Sequence, residues 1–327
     1  MIDPLLSRRL IFVTGKGGVG KSSVTAALGL ALADRGQRVL LVETDTYSAM
    51  ADLFDRNLEN SKVATVRKNL DIVNLHAEDA LVHAIKQFVP SDRVARTVIQ
   101  NRIARVFFKA APSVNEFSIL NMVRHYLEQK NGRAHAYDHV IVDLPASGHA
   151  VTYLNVPDTL HGMVRVGRFA QISKELGDYI RDTSKTALVA VCLPEEMPVN
   201  ETIELADALH DTLGRKLTTT MLNMVHKQPF EPTHRELFDV LRESVPSHAP
   251  NKAHEASPLS RLIHGNALAL DWYERDLIYV EQLRERIQDG VEVIELPMVY
   301  EQTGIAVLEK LADYLNGKWS DSDSLAS

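Results

Sequence analysis

A doubly wound α/β fold around a mostly parallel sheet is predicted by three features of this sequence of 327 residues. Short apolar runs recur along it, helical patterns separate those runs, and a glycine-rich turn joins the first run to the first helical pattern. Continuous rather than alternating apolar runs suit parallel strands covered by helices on both faces. Strands that alternate with helices favour a doubly wound order.

Taken in order, residues 10–13, 39–42, 140–142, 188–191, 221–225 and 291–294 are expected as strands. The small-residue stretch 23–33 reads as the first helix, ending before Gly36. Residues 80–130 are mostly helical in pattern, are broken by Pro90 and Pro112, and are too long for one crossover, so they read as an inserted helical lobe. A second stretch, 157–183, sets Leu160, Met163, Val164, Ile172, Leu176 and Ile180 on one helical face, which is expected to be core. Residues 266–288 present Leu270, Tyr273, Leu277, Val280 and Leu283 at helical spacing, as a helix packed along the sheet would. With no internal repeat and no low-complexity linker, residues 1–319 read as one domain with helical insertions at about 79–131 and 150–183. The Ser/Asp-rich segment 320–327 reads as a disordered tail.

Hydrophobic residues at 45% and charged residues at 24% describe a chain that folds. A net charge of -7 leaves no basic footprint for nucleic acid or an anionic membrane, so phosphate binding has to be local. No apolar run approaches the roughly 18 residues that span a bilayer. Residues 1–9 lack a signal-peptide core, so a cytoplasmic protein without membrane insertion is expected. The single cysteine, Cys192, cannot make a disulfide within the chain or a thiolate cluster, and its apolar neighbours make it a buried structural thiol.

The chemistry is concentrated in Gly15-Lys16-Gly17-Gly18-Val19-Gly20-Lys21-Ser22, between the first strand and the first helix. Glycines let the main chain curl so that several N–H groups face phosphate oxygens, and the helix N-terminus adds its dipole. Lys21 neutralises charge and Ser22 offers Mg²⁺ an oxygen. Gly15, Gly17 and Gly20 also satisfy Gly-x-Gly-x-x-Gly, with Glu43 where a ribose-binding acid would stand, which keeps a dinucleotide reading open. A pyrophosphate held by main chain alone would leave Lys21 and Ser22 without a task, so a magnesium-bound triphosphate is favoured. Lys16 cannot easily reach the phosphates that Lys21 serves; it either points outward to a neighbour or is a solvated loop lysine.

This octet resembles the deviant Walker A motif of the signature-lysine ATPases. Further segments are similar to the branch that holds the ArsA-like anion-transporting ATPases and the guided-entry factors for tail-anchored proteins. Glu43-Thr44-Asp45 followed by Ala51-Asp52-Leu53-Phe54 resembles the first switch of that branch, and Asp143-Leu144-Pro145-Ala146-Ser147-Gly148-His149 the second. Val191 to Glu196 with Glu201-Thr202 resembles the strand and turn that bring an acid near the nucleotide; Leu222-Asn223 and Glu295 to Val299 resemble the adenine-recognising segments. The resemblance spans residues 10–315. There are departures: Thr46-Tyr47-Ser48 replaces the usual Pro-Ala-His of the first switch, and Leu144-Pro145-Ala146 the usual Thr-Ala-Pro of the second. No Cys-x-x-Cys clasp precedes Trp272, so no zinc is expected, and one cysteine cannot capture arsenite.

The resemblance implies an ATP-hydrolysing dimer, made of two copies or of this chain with a related ATPase. Lys16 of each subunit would reach the phosphates held by the other, and Lys21 the β- and γ-phosphates. Ser22 would ligate Mg²⁺, Ser23 would touch the α-phosphate, and Asp143 would hold the metal's water shell. Asp45 would orient the attacking water, and Asp45, Asp143 and Gly148 would form the switch; a turn-capping Asp45 and a metal-free Asp143 are the alternatives. Gly15, Gly17, Gly18, Val19, Gly20, Glu195, Asn223, Pro297 and Val299 would surround the nucleotide. Asn-Lys-x-Asp is missing, so adenine is favoured over guanine, with a buried structural Asn as the other reading of Asn223. In the guided-entry factors the helical insertions form a methionine-rich groove for a client's membrane helix. Here only Met122 and Met163 lie in them, so a groove for a protein or hydrophobic client would be small or modified, with thioether chains not its main material. A positioning ATPase of the MinD/ParA kind and an ATP-binding module with little turnover are the alternatives.

Overall fold

The first apolar run is a strand covered on both sides: along β1 (Leu10–Gly15), Leu10 and Phe12 join the core on one face and Ile11 and Val13 the core on the other. The computed structural model describes residues 1–45, 47–88, 97, 101, 113–244, 258–301 and 303–319. The other strands are β2 (Val39–Glu43), β3 (Ala64–Arg67), β4 (Leu70–Asn74), β5 (Lys130–Asn131), β6 (Ala134–His135), β7 (His139–Asp143), β8 (Thr186–Cys192), β9 (Thr219–Val225) and β10 (Glu292–Pro297). Eight of them form one sheet in the order β10-β9-β8-β1-β7-β2-β4-β3, parallel except for β3. The expected parallel α/β sheet is therefore present, and Leu40/Leu41, Val140/Ile141 and Leu188/Val189 divide between the two faces as the β1 residues do.

Helices α1 (Asp3–Leu6), α2 (Lys21–Asp34) and α3 (Ala49–Leu53) lie on one side of the sheet. On the other lie α4 (Ala77–Phe88), α5 (Val114–Glu128), α6 (Ser147–Met163), α7 (Arg168–Arg181) and α8 (Glu196–Leu213). After β9 come α9 (Arg235–Ser244) and α10 (Pro258–Arg286), and α11 (Gly304–Leu315) closes the first layer against α2. Helix α2 is apolar on every side and buried from Val24 to Ala33, which only a central position allows.

Three readings change. The β3–β4 hairpin was not expected, because Asp71 and Asn74 interrupt β4 and β3 is half-exposed at the sheet edge. Its turn runs through Asn69, whose φ of 64° is one that asparagine tolerates. The stretch 157–183 is two helices rather than one face. Ile172, Leu176 and Ile180 of α7 are buried, whereas Met163 and Val164, at the turn before Gly167, are 73% and 40% exposed. The helix of the insertion expected from about 150 begins at Ser147, so Gly148 and His149 lie in its first turn and Pro157 lies inside it.

Among the described residues of the 79–131 stretch, α4 and α5 pack on each other, and α5 sets Phe117, Leu120 and Val123 into the sheet's core. The tail 320–327 and Pro90 and Pro112 lie outside the described residues. Cys192 is fully buried, and burial pushes its thiol up to about 11, so it is structural as expected. Among the described residues, no helix is long and apolar enough to cross a membrane.

Candidate nucleotide site

Strand β1 lies between β7 and β8; its helix leads to β2 on one side, while the connection from β7 leads to β8 on the other. Open parallel sheets bind ligands where strand order reverses in this way. The glycine-rich loop leaves the sheet at that point. Gly20 precedes α2 with a φ of 81° and no side chain caps the helix, so its first N–H groups are free of side-chain acceptors. A Cβ on Gly17 or Gly18 would meet nothing within 4 Å, which leaves one side of the loop open to a ligand.

Below the loop, one ammonium and one hydroxyl converge on a single carboxylate. Lys21 Nζ donates to Asp143 Oδ1 at 2.6 Å, and Ser22 Oγ donates to Oδ2 at 2.6 Å. Asp143 ends β7 in register with Val13 and Glu43 on the flanking strands and is 5% exposed. Burial pushes its carboxyl above the ordinary range; the Lys21 charge and the Lys21 and Ser22 hydrogen bonds oppose this, and the Asp45 charge adds to it. A serine hydroxyl beside a buried carboxylate is a hard oxygen pair, and Mg²⁺ takes such donors while keeping waters and phosphate oxygens for its other positions. The donor set fits that ion. Among the described residues, no group of three or more His, Cys, Asp or Glu could hold a metal.

The rest of the candidate residues fall around this centre. Asp45 follows β2 and is exposed, with its neighbour Thr46 outside the described residues. Glu43 is buried and accepts from Met50 N at 3.0 Å and from the Ser48 hydroxyl, while Ser48 caps α3 by accepting from Ala51 N. Glu43 therefore braces the turn after β2 instead of facing a ribose, and Ser48 supplies a helix cap. Burial also raises the Glu43 carboxyl. Ser23 lies in the first turn of α2, Glu195 is the exposed residue before α8, and Pro297 is buried at the end of β10 with Val299 just beyond.

Asn223 Nδ2 donates to Val19 O at 3.0 Å, and both residues are buried. The amide thus fastens the loop to β9, and a Cβ on Gly20 would sit 2.4 Å from that nitrogen. Asn223→Ala is expected to destabilise the fold by about 1–3 kcal/mol, because it strands a buried carbonyl; urea unfolding would measure it. Pro297 lines a cleft of about 540 Å³ with Val225, Tyr273 and Asp276. Lys16 turns away from Asp143, and its Nζ lies 2.7 Å from Glu201 Oε1 in α8. Glu201 belongs to the segment that, by resemblance, brings an acid near the nucleotide, but its pairing with Lys16, 185 residues away, has no local signal.

The sequence model of the anion-transporting ATPases matches residues 8–176, more than half of the chain. The chain belongs to that family. The match ends before Glu195, Asn223, Pro297 and Val299. The ATPase BagA of Mycobacterium tuberculosis is 29% identical over 62% of this chain and 61% of its own length. An arsenical pump-driving ATPase of Escherichia coli is 27% identical over 66% of the chain and 39% of that protein. The ATPase GET3 of Kluyveromyces lactis is 28% identical over 52% and 51%. The chain spans less than two thirds of the length of these anion-transporting ATPase relatives.

Proposed function

We propose that the chain binds Mg-ATP in the loop 15–22 and hydrolyses it as a dimer, using the nucleotide state to hold and release a protein or hydrophobic client. The observation that carries this is the convergence of Lys21 and Ser22 on the buried Asp143 beneath the uncapped N-terminus of α2. Bound Mg²⁺ would draw charge from the phosphates. Lys21 would bind the β- and γ-phosphates, Ser22 would give its oxygen to the metal, Ser23 would touch the α-phosphate, and Asp143 would order the metal's waters. Asp45 orients the attacking water. Lys16 adds a cation to the partner's phosphates, a contribution worth about 10³-fold or more when supplied in trans. Glu195, Asn223, Pro297 and Val299 border the base side.

Hydrolysis reaches the client through α6. Gly148 lies in its first turn, two residues after Ala146, and its last residue, Met163, is exposed together with Val164 and Val166 in the turn beyond it. An apolar cluster at the end of a nucleotide-sensing helix suits a hydrophobic client. ATP turnover by the parent, Lys16→Ala and Asp45→Asn tests the reading. Each variant is expected to lose about 100-fold or more. Equal, negligible rates in all three would leave a binding module without turnover.

A further inference from the structure

The two lysines of the loop have different partners within one subunit. Lys21 is held on Asp143 in the sheet, whereas Lys16 is held on Glu201, in the second turn of α8, with side chains 29% and 35% exposed. That turn is fixed from both sides. Thr202 is buried with its hydroxyl on Pro198 O, and Asn200 Oδ1 accepts from Arg286 at 2.8 Å and Gln282 at 3.5 Å, both in α10. Glu201 therefore presents its carboxylate from a rigid platform. The same helix packs on α6, which starts at the second switch segment.

We propose that Glu201 is a positioning residue for Lys16: it parks the ammonium on its own subunit until a second copy closes, and Lys16 then exchanges this carboxylate for the phosphates bound by that copy. The inference rests on the dimer reading above. A half-exposed ion pair is weak, so it can be exchanged without trapping the lysine. While it persists it competes with closure. A subunit with an unpaired Lys16 would close too readily, and α8, joined to α6, is placed to couple release of the lysine to the switch.

The test is ATP turnover per subunit, followed against protein concentration, in the parent and in Glu201→Gln. The protein concentration giving half-maximal turnover is expected to fall about two- to five-fold in the variant, the span that an ion pair of this exposure carries. Glu201→Asp, whose carboxylate is one methylene short of Lys16, is expected to shift it in the same direction and serves if the glutamine variant does not fold. In a Lys16→Ala background, sedimentation with Mg²⁺ and a non-hydrolysable ATP analogue is expected to show no further effect of Glu201→Gln. An unchanged or higher half-maximal concentration in a variant that melts like the parent overturns the role of Glu201 alone, as does an effect that persists without Lys16. Parental turnover per subunit that is independent of concentration overturns the dimer reading itself.

Discussion

Lys21→Ala is expected to lower ATP turnover by about 10²–10³-fold, the range seen when one preorganised group is taken from a developing charge. Lys21 is the only cation of the loop directed at Asp143, since Lys16 is paired elsewhere. The variant should also lose stability in a pH-dependent way. Asp143 has a folded-state carboxyl raised above its ordinary 3.8, because burial outweighs the help of Lys21 and Ser22. A group raised in this way contributes its full stability below the ordinary value, and that contribution is lost as pH rises through the folded value. Removing Lys21 deletes the largest opposing influence, moves the folded value further up, and widens the window of loss. The melting deficit of Lys21→Ala relative to the parent is therefore expected to be smallest in acid and to grow toward neutrality. A deficit that stays constant with pH would mean that the lysine does not face a charged Asp143.

The parts of the fold written in contiguous residues were legible. The apolar runs that became β1, β2, β7, β8, β9 and β10 needed only burial on two faces, and the octet from Gly15 to Ser22 carries strand, loop and helix together. The edge hairpin β3–β4 was not legible, because one face of β3 meets solvent and polar residues break the run. The second helical stretch was read from Pro157, yet that residue sits inside α6, which Ser147 begins. Within the site, residue types pointed to Lys21, Ser22 and Asp143, and these are the groups that meet. Partners distant in sequence stayed hidden: Asn223 reached Val19 and Lys16 found Glu201, through neighbours that the sheet order supplies. Glu43 turned inward to Met50, a partner set by the turn after β2.

Gly15→Ala is expected to destabilise the protein by about 1–3 kcal/mol or more and to abolish nucleotide binding with it. A Cβ at this position would lie 2.3 Å from the carbonyl oxygen of Val191 and 3.2 Å from Val19 Cγ2. The first of these is main chain, in a strand paired to β1 with Gly15 opposite Val191, so no side-chain rotation relieves it. Relief requires β1 and β8 to part at the end that feeds the loop, at the centre of the sheet. Gly17→Ala is the control, because its Cβ would meet nothing within 4 Å. It is expected to unfold at the parental denaturant midpoint. If Gly15→Ala also unfolds there, the close approach of the loop to β8 is not what sets its curvature, and the glycine at the head of the motif serves the nucleotide alone.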